Sequence, residues 1–223
     1  MRLDYASEHH QKLYNQESNC LRTEDLFGSD SPIISIFKSL RILSYNLDPS
    51  HVSTTDRLAA SNMIYDLEYT LLSLNKENSD DLGPTSCIYS FEAVPLKTAA
   101  HLYLYLVIRE IPPRSQLLYR LVERLQDALE IQLGGWWNST PYRKTWLLWI
   151  LFIGGAAAAG RHERWWFVRE LALVCHDLDI WSFGSIQDTL KKVLWQDAWC
   201  AVHCASLWEE MEILQEDKGI TWL

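Results

Sequence analysis

Thr145 to Phe167 reads TWLLWILFIGGAAAAGRHERWWF. An uncharged run from Thr145 to Gly160 meets the charged turn Arg161-His162-Glu163-Arg164, and Trp165-Trp166-Phe167 follows at once. Two structures suit such a stretch: a membrane span or the centre of a helical core. A spanning helix requires about 20 apolar residues, and about 17 at the least. The uncharged run is shorter, and its second half is weakly apolar glycine and alanine. Basic residues flank both ends, Arg143-Lys144 and Arg161 with Arg164, so no positive-inside asymmetry appears. The reading is a buried helical hairpin opened by Pro141, and no membrane segment is expected. Gly154, Gly155 and the four alanines leave room for a neighbouring backbone or ring. Glu163 suits the positive end of the second helix, and Arg164 is free to reach solvent or pair locally.

Upstream, residues 1–30 are polar without a sustained period and read as a mobile leader. Pro32 fits a first helical position with Ser31 as cap. Ile33, Ile34, Phe37, Leu40 and Leu43 then recur at helical spacing, up to Asp48-Pro49-Ser50. Ser53 to Asp56 resembles a capping box. Met63, Leu67, Leu71 and Leu74 form the inner stripe of the helix after it, with Tyr65 and Tyr69 as ordinary packing. Asn75 to Pro84 is an acidic loop. Pro95 opens a segment apolar all round up to Arg109, as expected of a helix buried among others. Pro112-Pro113 breaks it, because proline lacks an amide donor. Ser115 caps an amphipathic helix: Leu118, Leu121, Val122, Leu125 and Leu129 oppose Arg120, Glu123, Arg124, Asp127 and Glu130. Gly134-Gly135 ends that helix.

Downstream, the second arm of the hairpin continues through Leu171 and Val174. Asp179 to Gly184 turns the chain with Trp181 as its plug, and Ser185 to Asp188 reads as a second capping box. One long helix is expected from Leu190 through Trp199, Trp208 and Met211 to about Glu216. The pattern predicts an all-α domain of roughly seven or eight packed helices with no sheet, over residues 31–216, and a tail at 217–223.

The chain has 223 residues, 48% hydrophobic and 22% charged, with a formal net charge of -9. Nucleic-acid binding rests on neutralising phosphates with Lys and Arg. An acidic chain without a basic block is therefore not expected to bind DNA or RNA directly. Five cysteines, an odd number, and the absence of an apolar leader point to reduced core thiols.

Cys200, His203 and Cys204 share a helical face, with Cys175 or His176 as candidate fourth ligand. Cysteines beside Trp199 and Val202 are more simply small core residues. Cys175-His176-Asp177 cannot act as a triad, since consecutive helical side chains diverge by about 100°. Glycine fingerprints for phosphate and serine elbows do not occur. No catalytic residue, cofactor or metal is therefore assigned. The eleven tryptophans are the remaining chemical signal. Trp146, Trp149, Trp165, Trp166, Trp195 and Trp199 are read as an apolar pocket or core, able in the first case to hold a flat apolar metabolite.

REIPPRSQLLYRLVERLQDAL from Arg109, RKTWLLWILFIGGAAAAGRHERWWFVREL from Arg143, SFGSIQDTLKKVLWQDAWC from Ser182 and SLWEEME from Ser206 together resemble the fungal-specific transcription factor domain. That is the helical regulatory region of fungal zinc-cluster transcription factors. The resemblance covers about Phe91 to Ile213 and extends back towards Ile33. It implies transcription regulation in the nucleus, through protein co-regulators or self-association, with the helix Ser115 to Gln132 as a docking face. The family's DNA-binding module has six cysteines, whereas the first 86 residues here hold only Cys20. The resemblance then implies a regulatory fragment, a truncated regulator or a shortened paralogue. A small-molecule sensor is the alternative, and a helical enzyme the least favoured reading.

Overall fold

The computed structural model describes residues 21–22, 24–27, 31–47, 57–74 and 93–217. The expected capping box at Ser53 and the acidic loop after Asn75 lie outside these residues. Among the described residues every regular element is helical, and no strand occurs. A short α1 (Glu24–Phe27) precedes α2 (Pro32–Asn46) and α3 (Arg57–Ser73). Then α4 (Val94–Tyr103) runs into a π-helical turn, Leu104–Ile108. There follow α5 (Gln116–Gln132), α6 (Pro141–Ala157), α7 (Glu163–Asp177), α8 (Phe183–Lys191) and α9 (Asp197–Asp217).

The centre is α6. From Trp146 to Ala157 every residue is buried. Such a helix must be covered all round, and α4, α5, α7, α8 and α9 all pack against it. Pro141 stands in its first turn, and the Thr140 hydroxyl accepts from the Arg143 amide at 3.3 Å. The hairpin to α7 closes through Gly160, whose φ of +74° lies in the left-handed region where glycine carries no Cβ penalty. No helix among the described residues is long and apolar enough to cross a membrane.

Glycine sets how closely α7 can approach. A Cβ built on Gly154 would stand 2.3 Å from Phe167 Cε1 and 2.9 Å from a Leu125 methyl. Gly155 faces the Leu207 methyl at 3.0 Å. Arg164 bolts the same crossing. It is buried and does not reach solvent, contrary to the expectation from its charged turn. Its guanidinium donates to the Gly155 carbonyl at 2.5 Å and to both carboxylate oxygens of Glu210, at 2.7 and 2.9 Å. One side chain thus joins α6, α7 and α9.

The expected long final helix is two helices, broken at residues 192–196. No proline or glycine lies there. The carbonyls that would continue the helix are taken by outside donors. Leu21 N–H donates to the Lys192 carbonyl at 2.6 Å, Arg41 Nε to Val193 at 3.2 Å and Trp149 Nε1 to Leu194 at 2.8 Å. The Gln196 side chain then caps α9, accepting from the Trp199 amide at 2.7 Å.

Other local expectations are corrected too. The cap of α8 is Ser182, accepting from the Ser185 amide at 3.2 Å, so the helix starts at Phe183 and not after Ser185. Trp181 is half exposed and lies edge-on to His176, so it does not plug the turn. Ser31 stands at the start of α2 without a side-chain cap bond. Ser115 does cap α5, accepting from the Leu118 amide at 3.3 Å.

Candidate functional site

The six tryptophans named from sequence occupy three different environments. Trp146 and Trp149 are completely buried on α6. Phe37 meets them edge-on at 5.1 and 5.5 Å between ring centroids, and Tyr103 covers Trp149 at 5.9 Å. The protein's own rings fill this site. Trp166 is also buried, edge-on to Phe167 at 4.9 Å. Trp165, its neighbour, points outward at 53% exposure with the Arg169 guanidinium over its ring at 5.1 Å. Helical geometry turns consecutive side chains by about 100°, so the pair cannot face one site.

Trp195 and Trp199 form the third group, half-buried where α9 begins. Both rings pack on Phe152, Trp195 stacked at 6.0 Å and Trp199 edge-on at 6.5 Å. The His203 ring lies 4.0 Å from Trp199, and Lys191 reaches over Trp195 at 5.7 Å. This rim is partly exposed, less so than Trp165.

Cys175, Cys200 and Cys204 are buried free thiols, each pushed up to about 12 by desolvation. Such thiols hold little thiolate at neutral pH, and thiolate is the form that ligates metal or attacks a substrate. His203 spends its face on Trp199, and burial lowers its pKa. Among the described residues no group of three or more His, Cys, Asp or Glu side chains is placed to hold a metal.

A polar cluster between α3 and α4 was not legible in the sequence. Glu68 accepts from Tyr105 Oη at 2.9 Å and pairs with Arg109. Arg109 also lies 5.3 Å from the Tyr65 ring centre. Burial, and next the Glu68 carboxylate, push the Tyr105 hydroxyl up to about 12. His101, one turn before Tyr105, is buried. Its Nδ1 contacts the Lys97 carbonyl at 3.2 Å, and its Nε2 has no hydrogen-bond partner. Desolvation lowers its pKa to about 4, so it is neutral at physiological pH. These groups come from segments far apart in the chain, and no local spacing betrays them. The cluster ties α3 to α4 by an ion pair and a phenol, and it presents no activated nucleophile.

The outer face of α3 is the exposed counterpart. Leu58, Tyr65, Tyr69 and Leu72 are 74%, 62%, 75% and 52% exposed. Tyr65 and Tyr69 are therefore surface residues and not core packing. The expected docking helix α5 shows only Leu117 and Ile131 as large exposed apolar side chains.

A profile of the fungal specific transcription factor domain matches residues 2–221. The chain belongs to that family. Neither a curated protein nor a solved structure shows significant similarity to it. The family match starts ahead of residue 31, where the helical domain was expected to begin. Membership assigns this fungal transcription factor domain a regulatory role in transcription, and its all-helical architecture agrees with the resemblance of its central hairpin.

Proposed function

We propose that the domain is the interaction module of a fungal transcription regulator, working in the nucleus through co-regulators or self-association. The family match along nearly the whole chain carries this reading. The acidic balance of the chain argues against phosphate neutralisation, so contacts to DNA are left to another polypeptide or segment. In this reading no catalytic step occurs. The ionisable groups named above serve packing: Arg164 and Glu210 at a helix crossing, Glu68 and Arg109 between two helices. The test is a fusion of the whole chain to an unrelated DNA-binding domain, with a reporter gene downstream in a fungal cell. Reporter output should shift, up or down, relative to the DNA-binding domain alone. A stably expressed, nuclear fusion with no effect on the reporter would count against the proposal.

A second reading rests on the half-buried rim of Trp195, Trp199 and His203, backed by the fully buried Phe152. These rings offer a stacking surface to a flat apolar metabolite. Tryptophan fluorescence titrated with apolar metabolites tests it. A quench in the native protein that is lost in Trp199→Ala is the expected sign, and no quench across a broad panel rejects the reading.

A further inference from the structure

Two of the chain's seven prolines follow a hydroxyl residue, in Ser31-Pro32 and Thr140-Pro141. Only the second pair has a basic residue three places after the hydroxyl, Arg143, and Lys144 comes next. A protein kinase reads such a pattern. Proline brings no N–H into the kinase groove, where another residue would bury an unpaired donor. The basic side chain meets acidic groups on the kinase. The fold presents this stretch to solvent. Trp137 is fully buried and its Nε1 donates to Gln132 Oε1 at 3.1 Å, which pins the loop between α5 and α6. Asn138, Ser139, Thr140 and Pro141 follow it, and all four are exposed. Thr140 has extended backbone, with φ of -145° and ψ of 152°, the form of a strand laid in a groove.

We propose that Thr140 is a phosphorylation site for a proline-directed serine/threonine kinase, and that the phosphate fastens the start of α6. In the transfer, Thr140 Oγ1 bonds to the γ-phosphorus of ATP, and the bond from that phosphorus to the β,γ-bridging oxygen breaks. ADP leaves with the electron pair, and the hydroxyl proton goes to the kinase's catalytic base. Pro141 and Arg143 lie in the first turn of α6, which unwinds to enter the kinase groove. That turn is lightly held, because the first amides of a helix have no intrahelical acceptor. Opening it gives up the Arg143 amide bond to Thr140 Oγ1 at 3.3 Å and the Tyr142 phenol bond to the Arg22 carbonyl. It also gives up two bonds of 3.0 Å, from the Lys144 amide to the Thr140 carbonyl and from the Thr145 hydroxyl to the Pro141 carbonyl. When the turn closes again, the phosphate stands where the hydroxyl capped the helix, facing free amides at its positive end. Arg143 Nη1 donates to Ser139 Oγ at 2.7 Å, so its guanidinium already lies beside the acceptor's neighbour. Lys144 is engaged with Asp177 at 2.6 Å, which leaves the clamp to Arg143. The proposal requires no effect on transcription, so it and the interaction reading can fail separately.

The experiment incubates the full folded chain with a purified cyclin-dependent kinase and magnesium ATP, and follows the intact mass. The chain should gain phosphate, and fragmentation should place it on Thr140. Arg143→Gln should slow incorporation by about tenfold, the worth of one charge-assisted pair. Thr140→Asn keeps a side chain able to cap α6, so it should melt as the native protein does and take no phosphate at this position. The phosphorylated chain should melt above the unphosphorylated one at low ionic strength, by a margin that shrinks as salt is added. No phosphate on Thr140 of the folded chain, or a rate untouched by Arg143→Gln, overturns the site. A phosphorylated chain that melts no higher than the unphosphorylated one overturns the clamp on α6.

Discussion

Gly154→Ala should destabilise the domain, although alanine is the better helix former. Inside a helix the exchange contributes about 0.8–1.0 kcal/mol in favour of alanine. Against this stands the α6–α7 crossing. The added Cβ would lie 2.3 Å from Phe167 Cε1, 2.8 Å from its Cζ and 2.9 Å from Leu125 Cδ2. Relief requires the Phe167 ring to retreat by roughly an ångström, because carbon atoms attract only from about 3.5 Å outward. The ring has no free direction. It is fully buried and Trp166 abuts it edge-on. At so short an approach the upper half of the overpacking range applies, about 2–3 kcal/mol, which leaves a net loss of about 1–2 kcal/mol after the helix gain. For a domain of this size each kcal/mol moves the melting temperature by about 2–4 °C, so a fall of roughly 2–8 °C is expected.

Gly155→Ala is the internal control. Its Cβ meets the far methyl of Leu207 at 3.0 Å and Phe167 Cβ at 3.4 Å, and the Leu207 side chain can yield. That variant should match or exceed the native melting temperature. Thermal unfolding followed by circular dichroism, with both variants side by side, reads the difference. If Gly154→Ala proves as stable as the native protein, the close approach of Phe167 to α6 is not what this glycine serves. Phe167→Leu shortens the opposing side chain, so combining it with Gly154→Ala should cost less than the sum of the two single changes.

Arg164→Lys should lose about 1–3 kcal/mol, measured by urea unfolding, because an ammonium cannot hold the Glu210 carboxylate by two bonds and the Gly155 carbonyl together. A lysine variant of native stability would remove the clamp from the account. His101 makes the fold acid-sensitive. Its folded pKa of about 4 lies below its ordinary value of 6.5, so the unfolded chain takes up the proton first. The stabilisation is complete above about pH 6.5 and declines as pH falls towards 4, by up to about 3 kcal/mol. His101→Phe should flatten that part of the stability–pH profile, and an unchanged slope would refute the assignment. Iodoacetamide followed by mass spectrometry should leave Cys175, Cys200 and Cys204 unmodified in the native protein and label all three in urea. Rapid native labelling of any of them would place that thiol outside the core.

Much of the helical order is visible in the chain itself, because the signals are local. Pro141, the apolar run and Gly160 bound α6 and its turn, and Ser115 with the leucine stripe marks α5. The family resemblance rests on the same local patterns. What concerns function is less visible, since exposure depends on what packs elsewhere. α3 shows why. Its two stripes interleave, so the leucines and tyrosines cannot be sorted into inside and outside by period alone. The core takes Leu67 and Leu71 and leaves Tyr65 and Tyr69 outside. Trp165 and Trp166 are adjacent and chemically identical, and only the position of neighbouring helices decides which is buried.

The sequence by itself determined the helical class, the central hairpin and the family, since these follow from hydrophobic period, proline and glycine placement, and the order of motifs. Tertiary structure alone decided the break between α8 and α9, the role of Arg164 and the exposed outer face of α3. In each case the deciding atoms come from distant segments. The helix after Lys191 stops because Leu21, Arg41 and Trp149 claim its carbonyls. A local pattern of leucine and tryptophan carries no trace of those donors.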